Sequence, residues 1–226
     1  MSIDLAMRLT EIMLGLAFIQ QSIEHLHRPQ DEKQLFIPRI LLSVLLVAGI
    51  QTFWVLVALV GLSLFVLRRF NGPYNGGSDR MGLLILVCLT LAHLAPGSFW
   101  QEIAFGYLAI QLILSYFISG WVKVVNSQWR TGRALQDVFA YTTYPVSEHL
   151  RAFANKPKLL LMMSWCVMGF ELLFPLALLD VKLLYAALVV AATFHLANAF
   201  LFGLNRFFWI WLCAYPSILW FQDHFI

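Results

Sequence analysis

Charge is what these 226 residues have least of: Lys, Arg, Asp and Glu together make up 12% of the chain, about half the share usual in a soluble domain. A soluble protein of this length needs far more charge to cover the surface it cannot bury, so a soluble enzyme is excluded. A disordered chain is excluded too, because disorder goes with low hydrophobicity. The formal net charge of +3 is small and dispersed, too little for a phosphate-binding face, so no nucleic-acid partner is expected. The three cysteines, Cys88, Cys166 and Cys213, lie far apart inside apolar runs, without CxxC or Cys/His ligand spacing. They read as buried small hydrophobes. A Gly-rich phosphate loop, a nucleophile elbow and HExxH are all missing. Met1-Ser2-Ile3-Asp4 lacks the basic start of a signal peptide, and Gln20, Gln21 and Glu24 stand where a cleavage site would fall. The N-terminus therefore reads as a retained helix.

What the chain does have is apolar residues, 61% of the total. They gather in stretches at 5–24, 35–50, 52–67, 82–95, 100–125, 157–179, 183–202 and 207–222, separated by polar clusters. The expectation is an all-α, polytopic integral membrane helical bundle of about eight (six to eight) transmembrane helices, with the lipid bilayer as its solvent. No repeat or separate polar segment divides 1–226, so one domain is expected. The stretch 35–67 admits one long helix or two short ones hinged at Ala48-Gly49-Ile50-Gln51-Thr52. Two helices put Arg28/Lys33/Arg39, Arg68/Arg69/Arg80, the basic 126–156 loop and Arg206 on one side, and Lys182 alone on the other. One long helix erases that asymmetry, so two are expected, with the basic side in the cytoplasm and both termini outside. The 126–156 loop carries Trp129, Tyr141, Tyr144 and Pro145 among its basic residues and is expected to lie along the interface and partly re-enter the bundle. Asn71-Gly72-Pro73-Tyr74-Asn75-Gly76-Gly77 and Pro96-Gly97-Ser98 are turns, Ser78-Asp79 can cap the helix that follows, and Pro157 suits a helix start.

Charges well inside a membrane helix are costly, at least about 2.5–3.5 kcal/mol each at the bilayer centre, so each is a candidate for function. Glu11, Lys123, Glu171 and His195 are the principal cases. Arg8 and Glu102, near helix ends, can snorkel, and Asp180 and Lys182 flank a turn as an interfacial pair. Lys123 ends an aromatic-rich helix, where a partly dehydrated amine can serve as a base, although spacing alone favours a lysine that reaches the headgroups. Glu171 has no charge within eight residues on either side, so it is expected to be uncharged or paired with a cation from another helix. His195 and Asn198, three apart, share a helix face, and can hold a quinone carbonyl, orient a base or simply bond across helices. His25 and His27 point to different faces, and His93 and His195 lack sequence partners, so no metal or bis-histidine haem is expected.

Tyr116-Phe117-Ile118-Ser119-Gly120-Trp121-Val122-Lys123, followed by Trp129-Arg130-Thr131-Gly132, resembles a known signature. It is the aromatic-small-Gly-x-x-Lys, then Trp-x-x-Gly, pattern of the membrane domain shared by vitamin K-dependent gamma-carboxylases and bacterial HTTM (horizontally transferred transmembrane) proteins. Gln111 matches a glutamine of the same helix, Phe194-His195-x-x-Asn198-x-x-Leu201-Phe202 resembles a carboxylase segment, and Glu171 falls where that family has an acidic residue. The likeness covers 110–226 well and 70–110 loosely, while the first 70 residues match in hydropathy only.

In the carboxylases the matching lysine deprotonates vitamin K hydroquinone, which starts an oxygenation whose basic product abstracts a proton from a glutamate side chain. The resemblance thus implies catalytic roles for Lys123 as base and for His195 and Glu171, with Asn198, Gln111, Tyr116 and Trp129 as quinone or quinol contacts and no metal. It also implies an integral protein of a bacterial inner (plasma) membrane. Gly76-Gly77 stands where the carboxylases carry an Asn-His pair, and no lumenal peptide-binding domain lies within these residues. Carboxylation of protein glutamate is therefore less expected than quinone-linked redox chemistry. Some HTTM relatives mature a secreted peptide, so a small peptide, or a co-encoded membrane or redox partner, belongs to the expectation. A non-enzymatic scaffold, accessory subunit or small carrier, in which the same polar residues only specify packing, stands as the alternative.

Overall fold

The computed structural model describes residues 1–26, 30–69, 76–142 and 148–226. Among them every regular element is helical: α1 (Ile3–Leu26), α2 (Gln30–Ala48), α3 (Thr52–Arg69), α4 (Gly76–Leu94), α5 (Ser98–Val125), α6 (Ser127–Arg130), α7 (Arg133–Tyr141), α8 (Glu148–Arg151), α9 (Pro157–Leu173), α10 (Val181–Phe202), α11 (Asn205–Cys213) and α12 (Tyr215–Phe225), with 3-10 turns at Ala152–Asn155 and Phe174–Leu179. Each of the apolar stretches read from the sequence falls on helix. Five segments are long and apolar enough to cross a membrane: Thr52–Arg69, Gly77–Leu94, Ser98–Val125, Pro157–Leu179 and Val181–Phe202. Their outer faces stay apolar, with Phe65, Trp121, Val189 and Phe200 all exposed. A helix that is hydrophobic on every side needs hydrocarbon around it, and the fold is that of a polytopic helical membrane protein.

The stretch 35–67 is two helices. Gly49 adopts φ +74° and Gln51 φ +50°, left-handed positions that end a helix. Arg8 reaches across from α1 and donates to the carbonyl of Leu46 at 2.8 Å and to that of Val47 at 2.5 Å. Leu46 keeps a turn bond from Gly49 N at 3.1 Å in place of its helical one, and carbonyls at a helix end in a membrane need such further donors. Arg8 therefore does more than snorkel: it closes the end of α2.

The chain divides into two compact units, residues 1–110 with 205–226, and residues 111–204. In the first, α1 packs on α2, α4, α11 and α12, and α3 on α2 and α4, around Leu14, Phe18, Leu56, Ile85, Phe105 and Trp220. Helix α4 begins at Gly76, so Ser78 and Asp79 lie inside its first turn and are buried. They are not the N-cap that the sequence suggested, because the helix starts earlier than the polar pair.

In the second unit Pro157 opens α9, as expected. The described residues of 126–156 form short helices: α6 and α7 pack on α9, and Phe139 of α7 is buried against Phe153, Leu160 and Phe202. The apolar face of this short amphipathic helix turns inward, while Tyr141 is exposed. Tyr144 and Pro145, the turn at 71–75, His27 and Arg28 lie outside the described residues. Cys88 and Cys213 are buried, but Cys166 is exposed, because it lies on the outward face of α9, where an apolar surround is lipid rather than core.

Candidate functional site

Three of the intramembrane polar residues come together in the second unit. Lys123 lies near the end of α5, and its Nζ donates to both carboxylate oxygens of Glu171 on α9, each at 2.6 Å, and to Ser119 Oγ at 2.6 Å. Ser119 in turn donates to Glu171 Oε1 at 3.1 Å. Ser119 precedes Lys123 by one helical turn, so both face α9. The glycine of the motif explains how the carboxylate gets so near. A Cβ at Gly120 would stand 2.8 Å from the Leu172 nitrogen and 2.9 Å from Glu171 Cβ, so the two backbones touch where only glycine fits. The expected cation from another helix is thus Lys123, with Glu171 buried and Lys123 partly buried, at side-chain exposures of 4% and 16%. Trp129 of α6 presents its ring face to the ammonium at 5.3 Å, a cation–π contact that closes the remaining side.

A second pair lies in the same unit. Tyr116 Oη and His195 Nε2 of α10 are 3.0 Å apart. Both side chains are buried, and the tyrosine ring stacks on Phe174 at 4.1 Å and meets the edge of Phe170 at 6.1 Å. Asn198, one turn beyond His195, contributes its backbone carbonyl to the end of α10, where it accepts from Leu204 N at 3.3 Å. Its side chain and that of Gln111, both partly buried, make no hydrogen bond among the described residues. Of the sequence-selected residues, then, Lys123, Glu171 and Trp129 are joined by direct contacts and Tyr116 and His195 by a separate one, whereas Gln111 and Asn198 are tied into neither. Sequence reasoning passed over Ser119, Phe170 and Phe174. The one-turn spacing of Ser119 from Lys123 was the available signal for the first.

The first unit holds its own polar groups. Glu11, singled out for its place in an apolar helix, accepts from Arg8 at 2.9 Å, and its other oxygen lies 2.6 Å from His93 Nε2 on α4. It is a structural junction of α1, α2 and α4. Arg39 is buried with its guanidinium over the Phe18 ring at 3.9 Å and donates to Gln21 Oε1 at 3.3 Å. Asp79 lies within electrostatic range of Arg39, Arg206 and His25, and Arg206 donates to His25 Nε2 at 2.6 Å and to Glu24 at 3.4 Å. Among the described residues no group of three or more His, Cys, Asp and Glu is placed to hold a metal. Two open cavities are lined by other residues: one of about 450 Å³ by α4 and the first turns of α5, the other of about 540 Å³ by α2 and α3. Neither has Lys123, Glu171 or His195 in its walls.

Among known protein families, the HTTM domain model matches residues 96–223. Comparison with curated proteins gives no match, and none of the solved structures matches either.

Proposed function

The chain belongs to the HTTM family, and from that premise we propose that its second unit carries a proton-abstracting site for a quinol-linked reaction in a bacterial inner membrane, with Lys123 as the base. The observation that carries the reading is the contact of Lys123 Nζ with both oxygens of Glu171 and with Ser119, each at 2.6 Å. A lysine that only reached for headgroups would hold its amine in the interface. This one is turned onto a buried carboxylate by a backbone approach that leaves no room for a side chain at Gly120. The carboxylate fixes the amine in place, and a positioned amine is what proton abstraction from a substrate hydroxyl needs.

The donor set suits a quinone ring: the Tyr116–His195 pair supplies polar groups for its oxygens, and Phe170, Phe174 and Trp129 supply aromatic faces. A bound quinol would supply the electrons. Lys123 would take the hydroxyl proton, Glu171 and Ser119 would hold the amine in place, and the Tyr116–His195 pair would orient the ring. Access requires the site to open, since Tyr116, Glu171 and His195 are 2%, 3% and 6% exposed.

The test is consumption of a reduced quinone by the purified protein in lipid nanodiscs, with oxygen supplied. Oxygen-dependent loss of quinol by the wild type, greatly reduced in His195→Gln and Tyr116→Phe, is the expected result. No turnover by a folded wild-type protein with any quinol would favour a scaffold or accessory subunit instead.

A further inference from the structure

At the end of the α2–α3 hairpin opposite the Gly49 turn, Gln34 and Leu35 of α2 and Phe65, Arg68 and Arg69 of α3 enclose an open cavity of about 540 Å³. It lies wholly within the first unit. Arg68 and Arg69 are exposed, and among the described residues neither has an acidic partner, whereas Arg8, Arg133, Arg151 and Arg206 each do. Both sit in the last turn of α3, where the helix dipole welcomes a cation but supplies no discrete anion. Phe65, one turn earlier and 63% exposed, and partly buried Leu35 give the cavity an apolar wall on the membrane side of the arginines.

We propose that this cavity is a binding site for the headgroup of an anionic phospholipid. The phosphate diester would lie against Arg68 and Arg69, Gln34 would offer a hydrogen bond to the headgroup, and the glycerol and first acyl carbons would lie on Phe65 and Leu35. Three observations agree on that occupant. The walls carry positive charge without an acidic partner among the described residues, as an arginine site for phosphate does. The arginines stand at the end of a helix long enough to span the bilayer, which is where lipid phosphates lie. The polar and apolar walls follow one another along α3 in the order in which a phospholipid presents phosphate, glycerol and chain. The volume falls within the range of small-molecule sites.

Native mass spectrometry of the protein released from micelles containing phosphatidylglycerol and phosphatidylcholine in equal amounts tests this. Wild type should retain phosphatidylglycerol preferentially. The double substitution Arg68→Gln/Arg69→Gln should weaken that binding about 25-fold, since each arginine near a lipid phosphate is worth about fivefold. Phe65→Ala should weaken both lipids while keeping the charge preference. Arg80→Gln, on an exposed arginine outside the cavity, should change binding by less than about twofold. Equal retention of the two lipids, or undiminished phosphatidylglycerol binding by the double variant, would overturn the proposal. A thermal-shift arm with inorganic phosphate alone separates the sources: no shift is expected, and a shift as large as that given by the lipid would mean a free-anion site instead.

Discussion

Lys123 and Glu171 are the residues on which the reading of the site turns, and their geometry makes opposite demands on folding and on chemistry. Glu171 is buried and Lys123 partly buried, at side-chain exposures of 4% and 16%, so removing one partner strands the other. Glu171→Gln should cost about 3–5 kcal/mol of stability, seen as a lower midpoint in detergent thermal unfolding with wild-type membrane insertion. Replacing both partners with apolar residues of similar size, Lys123→Met/Glu171→Leu, should recover most of that loss, because two desolvated charges are then removed together. The recovered protein should still be inactive. Full stability of Glu171→Gln would mean that the carboxyl is held by Ser119 and neighbouring dipoles alone. Either residue could be picked out from the sequence, since a charge without neighbours in an apolar run is conspicuous. Their mutual contact could not, because 48 residues separate them and helix periodicity says nothing about partners on another helix. The same holds for Tyr116 and His195, 79 residues apart.

Between elements, the decisive contact is the crossing of α5 and α9 at Gly120. A side chain there would lie 2.8 Å from the Leu172 nitrogen, so α9 would have to move and carry Glu171 with it. Gly120→Val should destabilise by about 1–3 kcal/mol and abolish activity, while Gly61→Ala, where nothing lies within 4 Å, should be silent in both unfolding and activity assays. At the other junction, Arg8→Met should remove the side-chain donor to the Leu46 and Val47 carbonyls and also free one side of Glu11, lowering the unfolding midpoint. Helix positions were legible throughout, because runs of apolar residues and Gly/Pro punctuation mark them directly. Boundaries were less so: α4 begins before Ser78-Asp79, and the 126–156 region carries short helices whose amphipathic pattern spans too few turns to stand out. Arg39 and Asp79 were read as a loop charge and a cap, and their burial depends on tertiary packing that the local pattern does not encode.

For the whole molecule, the candidate spans predict which loops share a side. If Thr52–Arg69, Gly77–Leu94, Ser98–Val125 and Pro157–Leu179, each long and apolar enough to cross a membrane, all do so, Gln51, Gly97 and Lys182 are expected on one side and the 126–156 region on the other. The basic clusters make the cytoplasm the expected side for 126–156. Reporter fusions at Gln51, Gly97 and Lys182 should read as external, and a cytoplasmic signal at Gln51 or Gly97 would overturn the crossing order. Composition alone was enough for the membrane environment, and the motif around Lys123 was enough for the family. The most direct measurement of the central claim, that the Lys123 amine is a working base, is complementation of a deletion strain by Lys123→Arg. Arginine can keep the bond to Glu171 and the positive charge but cannot give up its proton near neutral pH. The account predicts wild-type amounts of folded protein in the membrane and no complementation, and full activity of Lys123→Arg would contradict it.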